Sequence, residues 1–108
     1  MTQIKKAIVR YRVKPERVAE NEELVRAVYE ELDRIAPEGL RYATFKLADG
    51  VSFVHVAVSA MADGRSPFAE IRAFKEFQRG IIDRCDEPPV VSDAEEIGSF
   101  GFFEDERR

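Results

Sequence analysis

Residues 4 to 13 set Ala7, Val9, Tyr11 and Val13 against Ile4, Lys6, Ile8, Arg10 and Arg12. That two-residue period predicts a strand, because successive side chains of an extended chain point to opposite faces. Pro15 ends it. From about 16 to 36, Val18, Val25, Val28, Leu32 and Ile35 recur at helical spacing and Leu24 widens the stripe, while Glu22/Arg26 and Glu30/Arg34 pair at i,i+4 on the outside. Pro37-Glu38-Gly39 closes that helix. Two further β-like runs, 40 to 48 and 51 to 60, flank Asp49-Gly50, whose tolerance of positive φ suits a two-residue hairpin turn.

A polar loop follows at Asp63-Gly64-Arg65, then Ser66 reads as a helix N-cap and Pro67 as the first helical residue. Phe68, Ile71, Phe74, Phe77 or Gln78, Ile81, Ile82 and Cys85 trace one face of a helix running to about residue 85. Glu87-Pro88-Pro89 breaks the chain, and a last strand is expected within 90 to 103, its ends blurred by Gly98 and Gly101. The order β-α-β-β-α-β predicts an α+β fold of ferredoxin-like type: a four-stranded antiparallel sheet with two helices on one face. Residues 1–103 form the single domain expected, and 104–108 a short charged tail.

A turn centred on Asp49-Gly50 fixes which hairpin residues share a face. One face carries Ala43, Phe45, Leu47, Val54, Val56 and Val58, with Arg41 at its end; being almost wholly apolar, it is expected to receive the helices together with Ala7, Val9, Tyr11 and Val13. The other carries Tyr42, Thr44, Lys46, Phe53, His55, Ala57 and Ser59, with Ile8 and Arg10 from the first strand and Phe100 or Phe102 from the last. Two helices cover one side of such a sheet, so this mixed face is expected to pair with a second copy in a homodimer, and Phe53→Asp to dissociate it.

At 108 residues, 44% hydrophobic and 35% charged, the chain is long enough for one packed domain. Seventeen Lys and Arg against 21 Asp and Glu leave a net charge of -4, the wrong sign for a phosphate-backbone binder, so no nucleic-acid partner is expected. No apolar run is long enough to span a membrane and no signal-peptide stretch is evident; no membrane partner and a cytoplasmic location are expected. Cys85 is the sole cysteine and His55 the sole histidine, which leaves no Cys/His metal cluster, and no phosphate-binding loop or dinucleotide fingerprint occurs. No cofactor and no metal are expected.

His55 is the side chain suited to proton transfer near neutral pH, and the hairpin register sets it opposite Thr44 and beside Tyr42 and Phe53. His55 is therefore the candidate catalytic residue, and Tyr42, Thr44, Phe53 and His55 form the candidate ligand site, approached by Arg10 as an anion-holding group. The alternative reading is a histidine satisfied within a subunit interface, with Arg10 and Arg12 pairing carboxylates such as Asp93, Glu95 or Glu96. Cys85 reads as a buried structural thiol.

The element order, the first strand ending in Val13-Lys14-Pro15-Glu16, the Glu38-Gly39-Leu40-Arg41-Tyr42 lead into the second strand, and Phe74-Lys75-Glu76-Phe77 resemble the dimeric α+β barrels, above all the antibiotic-biosynthesis-monooxygenase-type domains. The resemblance implies two sheets closing into a shared barrel, with a small aromatic or polyketide-like ligand held between a sheet and its helices or in the barrel. It implies either a cofactor-independent oxygenase or isomerase, or a non-catalytic ligand-binding or structural homodimer. Oxygenases and haem-degrading members of that group commonly use an Asn and a Trp. Here there is no Trp and the one asparagine, Asn21, lies on the first helix, so no catalytic residue carries over.

Overall fold

The structure, a computed structural model, describes residues 3–61 and 66–102; the expected loop at 63–65 and the tail at 104–108 lie outside the described residues. Strand β1 spans Gln3–Val13 and leads through a 3-10 turn at Pro15–Arg17 into helix α1, Val18–Ile35. Strands β2 (Leu40–Lys46) and β3 (Ser52–Met61) form the hairpin. A 3-10 turn at Pro67–Glu70, capped by the Ser66 hydroxyl, precedes the short helices α2 (Arg72–Gln78) and α3 (Ile81–Arg84) and strand β4 (Cys85–Asp93). The sheet runs β2-β3-β1-β4, every neighbouring pair antiparallel, with the helices packed on one face. This is the ferredoxin-like α+β architecture that the periodicities predict.

The hairpin register is the expected one, Leu40 opposite Ser59 and Lys46 opposite Phe53, but its turn is wider. Leu47 N–H still donates to Ser52 O at 2.8 Å, and residues 48–51 make the bend. The Asp49 carboxylate accepts from the Val51 and Ser52 amides and from the Ser52 hydroxyl at 2.9, 2.8 and 2.6 Å. Those donors stabilise the ionised form and pull the carboxyl down to about 2.

The second helix departs from the sequence reading. Gly80 adopts φ 79, a left-handed conformation open to glycine, and splits the expected helix in two. The break resets the helical phase: Ile82 turns out to solvent at 66% exposure and Arg84 turns inward at 1%. The last strand begins at Cys85 instead of residue 90, with Cys85 opposite Val13 and Lys14 N–H donating to Arg84 O at 2.8 Å. Pro88 and Pro89 sit inside this strand because β4 is a sheet edge and its pairing shifts register there, so the missing N–H groups leave no central ladder bond unmade.

The face assignment of the hairpin is also overturned. Val9 lies opposite His55 and Tyr11 opposite Phe53, so the β1 set under the helices carries Phe53, His55, Ala57 and Ser59 with it. Tyr42 and Thr44 follow through their pairing with Ala57 and His55. The more apolar set, including Phe45, Val54, Val56 and Val58, lies on the outer face with Ile8, Arg10 and Val90. Parity within the hairpin follows from its turn. Parity between β1 and β3 depends on a long-range register that no local signal encodes.

Candidate functional site

The buried core joins Tyr11 and Val13 of β1, Val28 of α1, Phe53 of β3, Ile71 and Phe77 beside the sheet, and Cys85 of β4. Within this apolar layer runs a line of polar groups. Arg84 Nε donates to Asn21 Oδ1 at 3.1 Å, Asn21 Nδ2 donates to the Tyr11 hydroxyl at 3.0 Å, and that hydroxyl lies 2.8 Å from His55 Nε2. On the other side of the imidazole, Nδ1 lies 2.5 Å from the Tyr42 hydroxyl and 3.3 Å from Thr44 Oγ1, which in turn meets the Tyr29 hydroxyl at 2.8 Å. Both ring nitrogens of the sole histidine are therefore engaged by phenols. Among the described residues no buried side-chain nitrogen or oxygen lacks a partner, which is the condition for burying so many polar atoms at acceptable cost.

Burial disfavours charge and lowers His55 to about 4, so the imidazole is neutral at physiological pH. Burial raises the phenols of Tyr11, Tyr42 and Tyr29 above the ordinary tyrosine value and keeps them protonated. Hydrogen bonds from Asn21 to Tyr11 and between Tyr42 and Thr44 work against that rise. Among the described residues Arg84 forms no ion pair with a carboxylate; its other nitrogens donate to the Phe77 and Arg79 carbonyls at 2.8 and 3.3 Å, and its guanidinium carbon stands 5.3 Å from the Phe77 ring centroid. Carbonyl dipoles and a ring face thus substitute for water around this cation.

Tyr11, Tyr42 and His55 form part of the wall of a cavity of about 290 Å³ between the sheet and the helices. Its remaining lining is mostly apolar, with Val9, Phe68, Phe74 and Phe77 prominent, and the exposed Lys5, Ser66 and Gln78 stand at its solvent end. Phe68 packs edge-on against Tyr42 at 4.9 Å and stacks on Phe74 at 4.3 Å, so the 3-10 turn and α2 present an aromatic wall facing the histidine.

Of the sequence candidates, Tyr42, Thr44 and His55 are in mutual contact, while Phe53 lies one pleat along, stacked on Tyr11 at 5.5 Å and buried outside the cavity lining. Arg10 lies on the outer face, opposite Val54 and Val90, and does not approach His55. Arg12 pairs with Glu87 at 3.3 Å, a different carboxylate from those expected. Cys85 is buried near Val13, its thiol pushed up by burial, four residues along the sheet from the His55 position. Asn21, which the sequence places only on the first helix, links Arg84 to Tyr11 in the polar line, and Tyr11, Tyr29 and Arg84 are members of that line the sequence does not single out as site residues. An asparagine interrupting the apolar stripe of α1, between Val18 and Leu24, was the available signal. Among the described residues no group of His, Cys, Asp and Glu side chains converges as a metal site requires.

No protein-family model and no curated protein matches the sequence. Solved structures do. The chain is similar to three proteins provisionally named antibiotic biosynthesis monooxygenases. The one from Nitrosomonas europaea is 17% identical with a TM-score of 0.69, over 90% of this chain and 93% of that one. The one from Bacteroides thetaiotaomicron is 18% identical with a TM-score of 0.73, over 88% and 90%. The one from Caulobacter crescentus is 13% identical with a TM-score of 0.70, over 88% and 91%. At this identity the likeness establishes a shared fold across nearly the whole chain.

Proposed function

We propose that this chain, folded as the antibiotic-biosynthesis-monooxygenase-type domains are, binds a small aromatic molecule in the cavity between sheet and helices and acts on it as a cofactor-independent oxygenase or isomerase. The observation that carries the reading is a neutral histidine, held through both ring nitrogens by Tyr11 and Tyr42, in the wall of an apolar cavity of about 290 Å³. Apolar walls with a few convergent polar groups are what an aromatic ligand of modest size requires. The phenol–imidazole–phenol group supplies what both reactions share: stabilisation of the negative charge that develops on a ligand carbonyl oxygen when the carbon next to that carbonyl passes its proton to water.

The step can be followed directly with 2-acetylnaphthalene, whose methyl protons exchange with D2O when the ketone enolises. The expected result is saturable binding and accelerated exchange, and His55→Ala should slow the exchange by roughly 10²- to 10⁴-fold, the usual worth of a positioned acid or base. Binding without exchange would leave a ligand-binding protein with no chemistry of this kind. No binding of aromatic ketones at all would overturn the reading.

The same proposal includes a homodimer through the outer sheet face, where Ile8, Phe45 and Val90 are exposed beside Val54, Val56 and Val58. An apolar sheet face of this kind favours a partner.

A further inference from the structure

The polar line has a direction, and it can be read from donor and acceptor chemistry alone. Arginine only donates, so the Asn21 atom facing Arg84 Nε is the oxygen and the atom facing Tyr11 is the amide nitrogen, itself only a donor. The Tyr11 oxygen accepts that bond and has one proton of its own to place. Its other polar partner among the described residues is His55 Nε2, and Tyr11 is 2% exposed. If Nε2 carried the proton, the phenol would face two donors and its own hydrogen would have no acceptor among the described residues. Nε2 is therefore the acceptor, and the imidazole proton sits on Nδ1, facing the Tyr42 and Thr44 oxygens. Tyr42, receiving that bond, keeps its hydroxyl proton for Thr44 or for a molecule in the cavity that its side chain lines.

We infer that Asn21 and Arg84 are positioning residues that hold His55 in its Nδ1–H form, so that the cavity wall offers a ligand a hydrogen-bond donor, the Tyr42 hydroxyl, and selects molecules bearing a carbonyl-type acceptor. Neither residue lines the cavity itself; Asn21 reaches its wall through Tyr11, and Arg84 through Asn21 and Phe77. A proton passed from Tyr42 to a ligand oxygen would be replaced from His55 Nδ1, and His55 Nε2 would take the Tyr11 proton. The charge left on the Tyr11 oxygen would face the Asn21 amide, with the Arg84 cation behind it. After that first transfer, every proton moves along a contact already present. The tautomer assignment needs no ligand; the selectivity rests on the cavity binding proposed above.

With a single histidine in the chain, ¹⁵N-histidine labelling gives one imidazole, and pyrrole-type and pyridine-type nitrogens are distinguished by shift. At pH 7 the wild type should show a pyrrole-type Nδ1 and a pyridine-type Nε2. Asn21→Asp reverses the line: a carboxylate accepts from both Arg84 and the Tyr11 hydroxyl, so Nε2–H must donate to Tyr11 and Tyr42 must donate to Nδ1. The two nitrogen types should exchange places. The wild-type preference for 2-acetylnaphthalene over 2-ethylnaphthalene should also fall by about two- to tenfold, the worth of one neutral hydrogen bond. If Asn21→Asp does not fold, Tyr11→Phe removes the donor to Nε2 and should move both nitrogens to averaged shifts. A wild type with a protonated or averaged Nε2, or a folded variant with the wild-type pattern, would overturn the inference. A wild type with the expected pattern that binds neither probe would instead overturn the ligand-binding reading and its selectivity, leaving the tautomer assignment in place.

Discussion

His55 couples the site to stability through its burial. Its ordinary value of 6.5 applies to the unfolded chain and about 4 to the folded one, so between those pH values the unfolded state binds more protons. Stability is then complete above pH 6.5 and falls as pH drops towards 4, by up to about 3 kcal/mol. Urea unfolding across that window should show the loss, and His55→Gln should remove it; a stability curve flat from pH 6.5 to 4 in the wild type would contradict the buried neutral imidazole. The neighbours of that ring were only partly legible beforehand. Tyr42 and Thr44 follow from a hairpin register that local turn chemistry encodes, whereas Asn21, 34 residues upstream, and Arg84, 29 downstream, reach the line only after α1 and α3 have docked on the sheet.

The elements owe their ends to a few backbone conformations. Helix α1 terminates at Ala36, which adopts φ 51 while its N–H donates to Leu32 O at 2.7 Å. That left-handed cap is one glycine favours, so Ala36→Gly should raise stability by about 0.5 kcal/mol in thermal or chemical unfolding despite its cost in unfolded-chain entropy. Gly39 is the opposite case. It has φ 79, and an added Cβ would stand 2.9 Å from Ala60 Cβ, at the contact where Ala60 N–H meets Gly39 O at 2.7 Å. Gly39→Ala should destabilise by more than about 1 kcal/mol and loosen the β2–β3 pairing at that end, visible as faster amide exchange at Ala60. Gly80 shows why α2 and α3 were read as one helix: a single glycine inside an apolar stripe is compatible with continuity, and only the packing of Arg84 beneath Phe77 shows the chain choosing the break.

For the whole molecule, the consequence of the face assignment is that the outer face proposed for association and the cavity lie on opposite sides of the sheet. Phe53 is 3% exposed in the core, so Phe53→Asp should unfold the chain, by burying an unpaired carboxylate, instead of separating subunits. The substitution that tests association is Phe45→Glu on the outer face, where Phe45 is 49% exposed. Light scattering should find the wild type at twice the 12.3 kDa chain mass and Phe45→Glu at that mass with its circular dichroism unchanged. A wild type that stays at the single chain mass at micromolar concentration would remove the proposed interface.

The order of elements, the hairpin register and the grouping of Tyr42, Thr44 and His55 on one surface were determined by the sequence, because two-residue and helical periods and the Asp49-Gly50 turn act over a few residues each. Which surface that was, tertiary structure decided. Apolar content alone would send Phe45, Val54, Val56 and Val58 beneath the helices, yet the set opposite Val9 and Tyr11 went there instead. The pairing of β1 with β3 joins residues 40 or more positions apart, and the helices close over His55 because it, Tyr11, Tyr42, Asn21 and Arg84 satisfy one another's hydrogen bonds only once assembled. A polar residue is buried at acceptable cost when its partners are in place, and those partners exist as neighbours only in three dimensions.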